Sequence, residues 1–161
     1  MPILIDLLND IKQRQNDLVE SVAGIDLTKI KSVVTPAISF EDPIEKVARK
    51  MEVSAERLKG ILRVENDVPF IIEKDKFGSP EKAAMVLVYT HQFGLDKVPT
   101  HKEVAASFRQ SGFKTGFGKS VKGHLQTRKK IQVVKDKITL IGSGIADAEK
   151  EVNRILAVTA K

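Results

Sequence analysis

The feature that most constrains this chain is the punctuation of its second half, where helix starts and chain breaks alternate at short intervals. Ser79-Pro80-Glu81 opens a helix with a serine cap, a proline at the first helical position and an early acid. Ala83, Ala84, Val86, Leu87 and Val88 are apolar on most sides, so this helix is predicted to be buried and to run to about Phe93, with Gly94 closing it. Thr100-His101-Lys102-Glu103 is a capping box, threonine capping the next helix and glutamate returning the bond three residues on. Residues 111–120 (SGFKTGFGKS) predict a glycine-rich turn, and residues 119–130 (KSVKGHLQTRKK) a helix with Val121 and Leu125 one turn apart on its buried edge. Residues 131–141 read as a β-hairpin, IQVV and ITLI joined by a tight basic tip at Lys135, Asp136 and Lys137. Residues 142–144 break the chain. Ile145, Ala148, Val152, Ile155 and Leu156 then mark an amphipathic helix over 145–157.

Charge singles out one part of this half. Residues 112–137 carry eight Lys and Arg against one acid, Asp136, a net +7 in a 161-residue chain whose total is +6. Residues 1–42 are net −3, and the remaining segments are nearly balanced. A solvated surface mixes signs, so a one-sided stretch points to a polyanion-binding face, the plainer alternative being a lysine-rich soluble face. At 100° per residue, the side of the 119–130 helix opposite Val121 and Leu125 carries Lys119, Gly123, Gln126 and Lys130, flanked by Ser120 and Thr127. Lys122 and Lys129 lie at the sides, and Arg128 returns toward the buried edge, where its stem would snorkel. With Lys114 and Thr115 in the turn and Lys135 and Lys137 on the hairpin, these are the groups that meet phosphates and base edges. Gly123 in mid-helix costs about 1 kcal/mol relative to alanine. Either a duplex backbone approaches it closely or another helix of the fold packs against it.

The first half is helical and less basic. Leu4, Leu8, Ile11, Leu18 and Val22 predict an amphipathic helix over 3–22, followed by a short one from Asp26 through Val33, available for self-association or for docking on the chain's own core. Asp42-Pro43 starts a helix, and residues 44–63 (IEKVARKMEVSAERLKGILR) have helix-turn-helix spacing. Ala48 falls at the helix crossing, Val53 in the turn and Ser54 at the cap of the second helix; Glu52 stands where such turns usually carry glycine. This unit is only mildly basic and reads as a support. Residues 68–72 (VPFII) form a short strand or extended linker, Pro69 restricting it to an edge. The polar run 73–76 and Gly78 make a joint, dividing the chain into 1–78 and 79–161. The only internal repeat is the pairing of two helix-turn-helix units.

Several chemistries are disfavoured. With no cysteine, disulfides and thiolate-bound zinc are excluded, and His91, His101 and His124 lack metal-ligand spacing. No nucleophile and base stand together, so neither an enzyme nor a cofactor is expected. Gly118-Lys119-Ser120 ends like a phosphate-binding loop, but Phe113 occupies the place of its first glycine, and a helical stretch precedes it instead of a strand. Phe113 and Phe117 are expected as core plugs, not as stacking platforms for single strands. The opening apolar residues carry no basic leader and are interrupted by Asp6, so a cytoplasmic protein is expected, nucleoid-associated if it binds DNA.

The order of capped helix, glycine-rich turn, basic helix, hairpin and terminal helix resembles the winged-helix transcription regulators over about half the chain. The resemblance implies a mainly α fold with a small β-hairpin: a winged helix-turn-helix over 79–161, preceded by a helical region with a second helix-turn-helix-like unit at 44–63. It implies double-stranded DNA as partner, the 119–130 helix in the major groove and the 131–141 hairpin as wing, with homodimerisation through the N- and C-terminal helices and no membrane. A sequence-neutral chromatin, nucleoid or DNA-segregation protein and a winged-helix protein-interaction module are the other readings.

Overall fold

The computed structural model describes residues 9–12 and 41–159. Of the helices expected over 3–22 and 26–33, only residues 9–12 fall among these, and they are helical; the rest lies outside the described residues. The chain divides into compact units between Phe40 and Glu41, not at Gly78. The helix-turn-helix at 44–63 and the basic half therefore belong to one unit.

That unit is mainly helical with two small antiparallel hairpins. Helix α1 (Pro43–Met51) begins as its sequence requires, the Asp42 carboxylate accepting the Ile44 N–H at 2.9 Å. It ends where Glu52 turns left-handed (φ 57°), the Val53 N–H reaching back to the Ala48 carbonyl. Glutamate thus takes the conformation usually left to glycine. Ser54 caps α2 (Ala55–Lys59).

Here the expectation of a helix to Arg63 fails. Helix α2 stops at Lys59, and Leu62–Glu65 is strand β1, paired through a two-residue turn with β2 (Val68–Ile71). Asn66 and Asp67 both have positive φ, as the tight hairpin turn demands. Leu62 and Ile71 point inward while Arg63 and Glu65 face solvent, an alternation that a continued helix would have scrambled. Pro69 lies opposite Val64, next to the turn-closing pair Glu65 and Val68. Its missing N–H faces away from the ladder there and forfeits no hydrogen bond.

Helix α3 (Pro80–Tyr89) is the centre of the unit. Ala83 through Tyr89 are all buried, and the helix packs against the three helices that follow and against strands of both hairpins. It runs on as a single π-turn (Thr90–Gly94), so that Gly94 lies within the turn and Leu95 caps it. The π-turn carries His91 into the core, with Nε2 3.0 Å from Ser107 Oγ and Nδ1 without a partner among the described residues. Burial, opposed by the Glu103 charge and aided by that of Lys97, pushes the His91 imidazole down to about 4.

Helix α4 (His101–Gln110) carries both bonds of the capping box, and Lys97 together with the Thr100 N–H holds the Glu103 carboxyl at about 2. It ends as α1 does, with a left-handed residue, here Gly112 (φ 78°). Helix α5 (Lys119–Thr127) follows the turn, then strands β3 (Ile131–Val134) and β4 (Lys137–Leu140), then α6 (Gly142–Val158). The order helix, left-handed residue, helix, hairpin thus occurs twice, with both hairpins built on four paired residues per strand and a two-residue turn.

Two boundaries differ from expectation. Helix α5 ends three residues before Lys130, because Lys129 turns left-handed (φ 53°) and the Lys130 N–H bonds the Leu125 carbonyl at 2.8 Å. Residues 142–144 do not break the chain but form the first turn of α6. Gly144 is required there: a Cβ would collide with the Lys130 carbonyl oxygen.

Hydrogen bonds tie the first helix pair and its hairpin to the rest of the unit. Arg57 of α2 donates to the Leu156 carbonyl of α6, and the Ile71 N–H of β2 donates to Ser111 Oγ at 2.9 Å.

Candidate nucleic-acid interface

The glycine-rich turn is held by its aromatics. Phe113 stacks on Phe108 with centroids 4.3 Å apart, and Phe117, 2% exposed, reaches both Phe108 and the His101 ring, the latter at 5.5 Å. These rings fill core space and are not open stacking platforms. Between them Lys114, Thr115 and Gly116 are exposed. The residues before Gly118-Lys119-Ser120 belong to a helix and a bend, so the strand that a phosphate-binding loop should follow is not there.

Around His101 three elements meet. Its backbone N–H donates to the Asp136 carbonyl in the tip of the second hairpin at 2.9 Å, and Thr100 bridges to Lys137. Its ring touches Phe117, directly before Gly118, the N-cap of α5. The start of α4, the start of α5 and the hairpin tip are therefore adjacent. Lys119, Lys135 and Lys137 each lie within two residues of this junction and are exposed. Lys102, within the capping box of α4, also lies there and is exposed.

Along α5 the expected buried edge is present, Val121 and Leu125 being 3% and 1% exposed. Lys119, Ser120, Gln126, Thr127 and Arg128 face solvent, while Lys122 and Gly123 are half-buried. Arg128 is thus more open than its angular position predicted. Around Gly123 the outcome is clear: a Cβ there would meet nothing within 4 Å, so close packing on another helix is not the reason for the glycine. His124 turns to α3, its Nδ1 3.2 Å from Glu81.

Lys130 departs most from expectation. It follows the helix instead of extending its outer face, and its ammonium pairs with Asp147 of α6 at 2.7 Å. It contributes to docking α6 and is a poor phosphate ligand. Lys129 is exposed at the left-handed position.

Acidic partners are sparser on this surface than in the part of the unit before it. Between residues 41 and 111 six of the twelve Lys and Arg, Lys46, Arg49, Lys59, Lys76, Lys82 and Lys97, meet a carboxylate. Between 112 and 137 only Lys130 does; Lys114, Lys119, Lys122, Arg128, Lys129, Lys135 and Lys137 have no acidic partner among the described residues. Helix α5 also has no acid in its first turn and no side-chain cap, so its N-terminal N–H groups add to the positive potential.

Among the described residues no group of three potential metal ligands occurs, and no helix is long and apolar enough to cross a membrane. No family model, curated protein or solved structure matches the chain.

Proposed function

We propose that this protein binds double-stranded DNA as a winged helix-turn-helix, with α5 entering the major groove and the β3–β4 hairpin acting as wing. The observation that carries the reading is the set of seven basic side chains, from Lys114 to Lys137, that have no acidic partner among the described residues. Unpaired cations on one surface repel one another, and a polyanion relieves that repulsion while its own counterions are released. A protein-interaction module has no general need for such one-sided charge on helix, turn and hairpin together.

The test is binding to duplex DNA as a function of salt. With four to six phosphate contacts, log K is expected to fall with log salt at a slope of roughly −4 to −5, near −0.9 per phosphate neutralised. A flat response would sink the proposal.

Regulation of transcription requires base readout as well. Lys122→Ala and Lys135→Ala should weaken binding to every sequence, whereas Gln126→Ala and Lys119→Ala should relax sequence preference by about 1–3 kcal/mol per true base contact. Equal behaviour of all four variants would replace the regulator with a sequence-neutral chromatin or nucleoid component.

A further inference from the structure

The glycine-rich turn runs back along α4, from Phe113 against Phe108 to Phe117 against His101. Its beginning therefore lies at the C-terminal end of α4 and its end at the N-terminal end. The junction of Lys102, Lys119, Lys135 and Lys137 occupies the second of these places. At the first stands a lysine from the other half of the unit: Lys74, in the short 3₁₀ turn Lys74–Lys76, donates from Nζ to the Gly112 carbonyl at 2.7 Å. Its neighbour Glu73 is taken by Lys76, and Asp75 is exposed. Arg109, in the last turn of α4, is exposed close by, as is Lys114 just beyond Gly112. None of Lys74, Arg109 and Lys114 meets a carboxylate among the described residues.

The outer stripe of α4 joins the two ends. Lys102 and Arg109 are two turns apart on one side of the helix, and between them at helical spacing stand only Ala105 and Ala106, both half-buried. Glu103, the one acid of α4, is bound by Lys97 and Thr100. Lys102 and Arg109 are seven residues apart, roughly 10 Å along the helix at about 1.5 Å per residue. A DNA strand offers one phosphate per ~3.4 Å of axis, so the stripe covers about three.

We infer that the DNA-binding surface does not end with α5 and the second hairpin but continues over the glycine-rich turn to Lys74 and Arg109. The first helix-turn-helix half thereby supplies a phosphate contact of its own. This rests on the proposal that the protein binds duplex DNA, and it assigns Lys74, Arg109 and Lys102 to the same backbone track.

The experiment is fluorescence anisotropy of the full chain with a duplex of about 20 base pairs across about 50–200 mM salt. Lys74→Ala and Arg109→Ala should each reduce the steepness of the log–log slope by about 0.9, and the double variant by about 1.8. Lys74→Gln keeps a donor for the Gly112 carbonyl and so guards the turn; it should lose the same slope with an unchanged melting temperature. Lys50→Ala is the control, since its ammonium lies over the Phe93 ring, 4.4 Å from the centroid, and should leave the slope intact. A steep wild-type slope that the Lys74 and Arg109 variants retain overturns the extended track and leaves the duplex proposal standing. An equal loss in Lys50→Ala overturns it too, because the effect would then follow net charge alone. A flat wild-type response overturns both.

Discussion

Gly123→Ala separates what α5 needs for stability from what it needs for binding. Gly123 is the middle residue of the nine in α5, and its missing Cβ would point into open space with no atom within 4 Å. The folded protein therefore has room for the methyl group. Alanine in a helix interior is better than glycine by about 0.8–1.0 kcal/mol, because glycine loses more backbone freedom on folding. In a unit of about 120 residues the entropy of unfolding is roughly 0.25 kcal/mol per kelvin, so the variant should melt about 4 °C higher. Duplex affinity should move the other way. If the backbone of α5 approaches DNA at this position, the methyl group fills the gap, and a tenfold loss of affinity corresponds to about 1.4 kcal/mol. Thermal melting and anisotropy on the same preparation read both numbers. A lower melting temperature would refute the open geometry around Gly123. A higher one with unchanged affinity would refute the close approach of α5 to the duplex.

Gly144→Ala should behave in the opposite way, since its Cβ meets a backbone carbonyl that cannot swing aside; a loss of about 3 kcal/mol in denaturant unfolding is expected. Glu52→Gly should stabilise the unit by about 1 kcal/mol, because glycine takes the left-handed conformation without the Cβ penalty; a destabilised variant would mean that Glu52 is needed for something besides the turn. His91 predicts a pH dependence. Its imidazole is held near 4 in the folded protein against 6.5 in the unfolded chain, so the folded state favours the neutral ring. The corresponding stability is complete above about pH 6.5 and is lost as pH falls through 4, by about 3 kcal/mol in all. Urea unfolding at pH 7 and pH 4 measures it, and His91→Gln should lose most of the difference.

The elements legible in the sequence were those written in local chemistry. Pro43, Pro80 and Thr100 announced their helices because caps and first-turn prolines act within one turn of chain. The second hairpin was legible because IQVV and ITLI alternate around a polar tip. The first hairpin carries a comparable signal, Asn66-Asp67 between alternating runs, but Leu58 and Ile61 also have helical spacing, which is compatible with a helix continuing through Leu62 and Arg63. Only pairing with β2 selects the strand, and that pairing is made between residues whose side chains have no helical register in common.

The candidate site divides in the same way. Composition alone marked residues 112–137, since a net +7 survives any fold, and the angular spacing of Val121 and Leu125 set the outer face of α5. Which cations are free to act was a matter of tertiary structure. Lys130 belongs to the same charged run as Lys129, yet Asp147, seventeen residues on, takes it. Lys74 and Lys102 come from outside the run and are brought to its two ends by the Gly112 carbonyl and the His101 junction. Formal charge is a property of the residue and is fixed once the chain is written. Its availability depends on which carboxylates the fold brings within a few ångströms, and that depends on elements far apart in the chain.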